Sequence, residues 1–337
     1  MKIRKDALKG LVVFILVTAF FFGVRPVAAL EQLRVPVASP TALTSLIENT
    51  AVYYGWFKEI GYDATIYSVS GGESAAVLAL EKGDLPFFNT DDNLPLAIRP
   101  NSKIRMAAAT MTKLPYFLAA APNVKSYRDL PQDGIKVGIS SPTSANVYVS
   151  LKLLEKNGIK NPKLIKVGGS TARLAAVKAG KVDIGALTLG PMLRAKEDGL
   201  SILGSAAEIA DEFVMMQVGM NEEWVAKNKQ KAIEILATFI RGCDFVNRNR
   251  DATIEVLIKK MKNKPANAKQ MYDIGIAKEK MIPDKCQFSE AGIKAYLEAA
   301  KWSKAIDPGT KIPPSSQFTM QDLYRDALAH FKKKYSR

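Results

Sequence analysis

The segment Leu33-Arg34-Val35-Pro36-Val37-Ala38-Ser39-Pro40-Thr41-Ala42 has a counterpart later in the chain, Ile135-Lys136-Val137-Gly138-Ile139-Ser140-Ser141-Pro142-Thr143-Ser144. Each is a short apolar strand that runs into Ser-Pro-Thr and then into a helical pattern. A second pair follows in the same order. Gly71-Gly72-Glu73-Ser74-Ala75 parallels Gly168-Gly169-Ser170-Thr171-Ala172, and both lead into alanine-rich helices that stop at Gly83 and Gly180. Glycine at a helix end supplies the left-handed residue that closes the last turn. Apolar strands then follow, residues 85–88 in one copy and 182–186 in the other.

Each half therefore reads strand, Ser-Pro-Thr, helix, strand, Gly-Gly, helix, strand, loop. Strands alternating with helices predict parallel, doubly wound sheets, one per half. Right-handed crossovers place both Ser-Pro-Thr loops at the carboxyl edges of their sheets, where open α/β sheets bind ligands. Two such edges facing each other make a cleft. The first helix is expected over residues 41–60, from the spacing of Leu43, Leu46, Ile47, Ala51, Tyr54 and Phe57. Residues 116–120 and 213–218 are expected to be the two strands that leave and rejoin the first lobe. From residue 221 onward the pattern is nearly all helical, over 231–246, 251–261, 289–302 and 320–332.

The N-terminus has a different character. Lys2, Arg4, Lys5 and Lys9 precede an apolar run of 13 residues, LVVFILVTAFFFG at 11–23, and small residues at Val27-Ala28-Ala29. That order is the pattern of a secretory signal peptide, and the run is short of the ~20 residues that a membrane span requires. The expected product is a free protein of the periplasm. The divisions that follow are 1–29 as leader, 30–117 and 215–337 as the first lobe with the C-terminal helices, and 118–214 as the second. Residues 1–29 carry five basic side chains and one acid, so the remainder keeps +11 of the formal +15. Its Lys and Arg residues are dispersed, without a nucleic-acid-binding motif. The only cysteines, Cys243 and Cys286, allow one disulfide in an oxidising compartment, but a buried free thiol fits Cys243 equally well.

Other stretches carry a resemblance. They are Gly55-Trp56-Phe57-Lys58-Glu59-Ile60-Gly61, Ala79-Leu80-Glu81-Lys82-Gly83, Tyr127-Arg128-Asp129-Leu130 and Ala179-Gly180-Lys181-Val182-Asp183-Ile184. In their order and spacing the chain resembles the nitrate/sulfonate/taurine-type periplasmic binding proteins of ABC importers, from Leu33 to about Leu323. The resemblance implies a type II-like periplasmic-binding-protein fold: two α/β lobes joined by two hinge strands, with the solute gripped between them. It also implies delivery to an inner-membrane ABC permease. The chain departs from the family pattern at Gly83-Asp84-Leu85-Pro86, and the loop Asn89-Thr90-Asp91-Asp92-Asn93 is unusually acidic for an anion site.

Candidate ligand-binding residues come from the two rims. Ser39 and Thr41, with Ser141, Thr143 and Ser144, fit helix starts, Ser as cap and Pro in the first turn. They either cap their helices only, or offer hydroxyls and free N–H groups to an acceptor-rich solute group. Asn89, Thr90, Asp91 and Thr188 end strands at the same edge, and Asp91 with Asp92 could equally cap the next helix. Tyr116 and Met215 lie beside the expected hinge, where Met215 has core packing as its alternative use.

No catalytic residue, cofactor or metal site is expected. There is no Cys/His metal spacing, Walker loop, GxGxxG or GxSxG, and the lone histidine, His330, falls in a Lys-rich terminal helix where a surface role is expected. The expectation is a monomeric receptor for a small solute, partnered by a permease and not by nucleic acid. An enzyme on the same scaffold and a periplasmic sensor input are the alternatives.

Overall fold

The computed structural model describes residues 29–37, 39–69, 73–142 and 144–335. The expected leader, apart from Ala29, lies outside the described residues, as do Gly71, Gly72 and Thr143.

The first copy of the repeat runs β1 (Glu31–Val37), α1 (Leu46–Tyr53), β2 (Tyr62–Ser68), α2 (Glu73–Lys82), β3 (Phe88–Thr90), α3 (Asn93–Ala97) and β4 (Ile104–Met111). After β5 (Tyr116–Ala120) the second copy gives β6 (Lys136–Ile139), α4 (Ala145–Lys156), β7 (Lys163–Lys166), α5 (Ser170–Lys178), β8 (Ile184–Thr188), α6 (Leu189–Glu197) and β9 (Ser201–Ser205). The chain returns through β10 (Met216–Asn221) and continues as α7 (Glu222–Lys227), α8 (Lys229–Arg248), α9 (Arg250–Lys259), α10 (Pro265–Gln270), α11 (Glu290–Trp302) and α12 (Gln321–Tyr335).

The two copies repeat element for element, but their sheets differ. In the second, β7-β6-β8-β5-β9 forms one five-stranded sheet, with β6 parallel to both β7 and β8. Gly138 and Gly185 face each other across β6 and β8, and a Cβ at either would press within 3.3 Å of valine or arginine side-chain atoms. In the first, β1 pairs only with β2, while β3 joins β10 and β4 in a separate antiparallel sheet. Pro36 offers no N–H from β1 yet stays in register with Tyr67 of β2, and β3, two residues after Pro86, is only three residues long.

The helix expected over 41–60 is shorter. A 3₁₀ turn occupies Leu43–Ser45, α1 ends at Tyr53, and Gly55, at φ +70°, reverses the chain. Gly83 and Gly180 do adopt left-handed φ at the ends of α2 and α5. The four helical stretches expected beyond residue 221 are α8, α9, α11 and α12. On α8 the buried residues Ala232, Ile235, Leu236, Phe239, Ile240, Cys243 and Val246 recur at helical spacing against α1, β4 and α12. Gly242 lets α1 approach so closely that a Cβ there would lie 2.6 Å from Ile47 Cγ2. Cys243 and Cys286 are disulfide-bonded.

The chain passes between the sheets just upstream of the first expected strand, 116–120, and on its return along a segment that includes the beginning, 213–215, of the second. β5 lies wholly in the five-stranded sheet and β10 in the three-stranded one. The crossings are therefore 112–115, where Pro115 separates β4 from β5, and 206–215. These segments bond to each other, Phe213 N–H to Thr112 O at 3.1 Å and Met215 N–H to Met111 O at 2.9 Å. His330 is half-buried on α12, and its Nε2 is enclosed without a hydrogen-bond partner, so it is less of a surface residue than expected.

Candidate functional site

A cavity of about 1300 Å³ opens between the five-stranded sheet and the part of the chain that holds the other two sheets. Its wall takes Thr90 and Asp91 from the carboxyl end of β3, Ser140 and Ser141 from that of β6, and Thr188 from that of β8. Tyr116 at the start of β5, and Phe213, Met215 and Met216 from the returning crossing, form its floor. The carboxyl ends of the parallel strands β6 and β8 thus face the end of β3, which belongs to the antiparallel sheet, across a shared space.

The five-stranded side is polar. Ser144 and Ala145 at the start of α4, Gly169 and Ser170 at the start of α5, and Thr188 just before α6 all line the cavity. Three helix starts therefore aim partial positive charge and N–H groups toward one place. A serine network fixes this rim: Ser140 Oγ–H donates to Ser144 Oγ at 2.8 Å, and Asn146 Nδ2 donates to both hydroxyls at 2.6 Å. Ser170 Oγ accepts from the Thr188 N–H at 2.8 Å.

Arg173, in the opening turn of α5, also lines the cavity although it is only 2% exposed. Its Nε donates to Ala186 O at 2.7 Å and its Nη1 to Gly168 O at 2.8 Å. Among the described residues no carboxylate pairs with it. Burial pulls its pKa below the usual guanidinium value, the direction expected of a cation stripped of water. A buried charge of this kind is stable only with a counter-charge or full hydrogen bonding.

The facing wall carries the acids Asp91 and Asp92. Burial, and then the negative charge of Asp91, pushes the Tyr116 phenol up to about 12, while Arg173 pulls the other way. Burial likewise holds Tyr296 well above its ordinary value, and its hydroxyl donates to the backbone oxygen of Asp91. Both phenols stay neutral and able to donate.

Of the expected residues, Thr90, Asp91, Tyr116, Ser141, Ser144, Thr188 and Met215 come together on this wall. Ser39, Thr41 and Asn89 do not. The first loop does not start a helix at Ser39: residue 42 is the cap of the 3₁₀ turn, Ser39 O accepts from Ser45 Oγ at 2.8 Å, and Thr41 is exposed to solvent. Thr44, three residues on, takes the place expected of Thr41. Neither Ser45 nor Ser144 caps its helix through its side chain, and Pro142 precedes the first turn of α4. Asn89 alternates with Thr90 along β3, so it faces inward, donating to Glu48 Oε1 at 2.7 Å and accepting from Thr110 Oγ1 at 3.0 Å. Asp92 stands at the cap position of α3 but makes no side-chain cap bond.

Sequence reasoning missed Arg173, Ser170, Asn146, Thr44 and Tyr296. Arg173 follows Ser170 by three positions on one helix face, a phase that could have marked it. Tyr296 comes from a distant helix and leaves no local signal.

These features define a two-lobed α/β protein of the type II periplasmic-binding-protein fold, with its cavity at the sheet edges. Among solved structures, the periplasmic aliphatic sulphonate binding protein SsuA of Escherichia coli is similar at 18% identity, with a TM-score of 0.67 over 86% of this chain and 92% of that one. The periplasmic nitrate-binding protein NrtA of Synechocystis PCC 6803 is similar at 13% identity, TM-score 0.67, over 91% and 90%. The desulfurization enzyme DSZB shares the fold at 11% identity, TM-score 0.64, over 89% and 99%. No curated protein matches by sequence. A family model described as NMT1/THI5 like matches residues 47–253, and the chain belongs to that family.

Proposed function

We propose that the protein is the solute-capturing receptor of an ABC importer, exported to the periplasm, that binds an organic anion between its lobes and leaves it chemically unchanged. One observation carries this reading: Arg173 is a buried cation with no carboxylate partner among the described residues, facing a cavity lined from both lobes. A bound carboxylate or sulfonate completes its charge balance and accepts from the rim of Ser144, Ser170 and the helix starts. The acidic loop at Asp91 and the neutral phenols offer partners to hydroxyl or amine groups elsewhere on the same solute.

We take one lobe as β1–β4 and β10 with the C-terminal helices, and the other as β5–β9 with their helices. Contacts on both favour a closed form only by their difference in free energy between the two states. The edge-to-face pair Tyr148–Trp302, with ring centroids 5.4 Å apart, joins α4 to α11 and so already links the two sides. Among the described residues no helix is long and apolar enough to cross a membrane.

The DSZB likeness keeps an enzyme reading in view, since one fold hosts both activities. A thermal-shift screen of organic acids, sulfonates, amines and pyrimidines identifies a solute, because binding to the native state alone raises its apparent stability. Solution scattering with that solute should show a smaller radius of gyration, and the solute should be recovered intact. An altered solute, or an unchanged radius at saturation, overturns capture by closure.

A further inference from the structure

We propose that a second cavity, set against the segments that join the two lobes, is a binding site for a small oxyanion whose occupant stiffens the joint. The cavity holds about 290 Å³ and shares only Tyr116 with the solute cavity. Lys113 comes to it from the outgoing crossing and Asp211 from the returning one. Phe117 and Ser205 belong to the five-stranded sheet, and Lys278 and Lys280 to the segment between α10 and α11.

Charge favours an anion there. Three ammonium groups meet two carboxylates, those of Asp211 and Glu279. Lys278 is loosely paired with Glu279, at 3.7 Å. Among the described residues neither Lys113 nor Lys280 has an ion pair, although Lys113 is half-buried, and the exposed Asp211 pairs with neither. An ammonium drawn partly out of water without a counter-charge favours an occupant that supplies one.

The backbone beside the cavity is unusual. Residues Met271–Lys278 form a π-helix, closed by a bond from Glu279 N–H to Ile274 O at 2.8 Å. This geometry is rare and frequent at functional sites. Lys280 then takes φ +51°, a left-handed conformation costly for a residue other than glycine and concentrated at ligand clamps. Gly275 seats the π-helix against both lobes, since a Cβ there would lie 2.7 Å from Leu43 Cδ2 and 2.9 Å from Leu189 Cδ2. Met281 O accepts from Thr112 N–H at 2.9 Å, which ties the lysine segment to the outgoing crossing. An oxyanion that accepts from Lys113 and Lys280, against Phe117 and Ser205, therefore spans the joint. Tyr116 connects it to the solute cavity, so the two sites bear on each other's affinity.

Hydrogen exchange of the full chain, followed by mass spectrometry during titration with inorganic phosphate, tests the site. Phosphate should slow exchange over 112–117, 205–211 and 278–281 with a saturable midpoint, which chloride at equal ionic strength should not reproduce. Lys113→Gln and Lys280→Gln should each raise that midpoint about tenfold, the loss expected for one charge-assisted hydrogen bond. Lys311→Gln, outside both cavities, should leave it unchanged. None of the three lysines is buried, so the variants should fold. Slowing confined to 140–146 and 169–173, slowing that chloride reproduces, no slowing, or an equal shift in all three variants overturns the site. Each of those results leaves solute capture at Arg173 standing.

Discussion

Arg173 Nε is hydrogen-bonded to the carbonyl of Ala186 at 2.7 Å, which moors a buried guanidinium to strand β8, the inner parallel strand of the five-stranded sheet. The bond fixes the orientation of the fork while leaving its outer face to the cavity. A binding group pre-set in this way loses little freedom when a solute arrives.

Substituting Arg173→Gln should therefore weaken binding of an organic anion by about thirtyfold or more, since truncating a buried charged hydrogen-bonding partner costs about 2–5 kcal/mol. Arg173→Lys keeps the charge but loses the planar fork, and should fall between the two. Titration calorimetry on both variants, with circular dichroism to show intact fold, measures the effect. Wild-type affinity in Arg173→Gln would remove the residue from the site.

Glu48 gives a pH dependence of stability. It is 1% exposed, Oε2 has no hydrogen-bond partner, and burial raises its pKa from 4.5 to about 7, partly offset by the Asn89 hydrogen bond. A carboxyl whose folded-state pKa is raised contributes its stability below the unfolded value and loses it as pH climbs through the folded one. The protein should thus lose up to about 3 kcal/mol between pH 4.5 and 8 from this group. Glu48→Gln, neutral at every pH, should flatten that slope and be the more stable form at pH 8. Urea midpoints at the two pH values decide it.

The disulfide closes a separation of 43 residues, tying α8 to the segment before α11. Replacing both cysteines with alanine should cost about 2–4 kcal/mol, chiefly by freeing the unfolded chain. Denaturant melts of oxidised wild type and the double variant should differ by that much, with solute affinity nearly unchanged because neither cysteine lines the cavity.

Much of the fold was legible because a duplicated βα unit writes itself twice. The apolar strands and the helix-ending Gly83 and Gly180 each had a local physical cause. The same logic placed Ser141, Ser144, Thr90 and Thr188 at a common edge. It went astray at Ser39 and Thr41, because the start of a helix depends on backbone angles that Pro40 alone does not fix, and a 3₁₀ turn shifted the rim to Thr44. It assigned the crossings to β5 and β10, whereas Pro115 and the stretch before Met216 take the chain across.

The sequence by itself determined the order of elements, the repeat and the edge at which the cavity opens, since periodicity and glycine placement act over a few residues. Only the tertiary structure decided that Arg173 is buried with no carboxylate partner among the described residues, that Asn89 turns inward to Glu48, and that Leu78 stands exposed on the cavity wall. Burial and charge pairing depend on which distant segments pack together, and residues 48, 89 and 110, or 78, 173 and 300, meet only once the chain has folded.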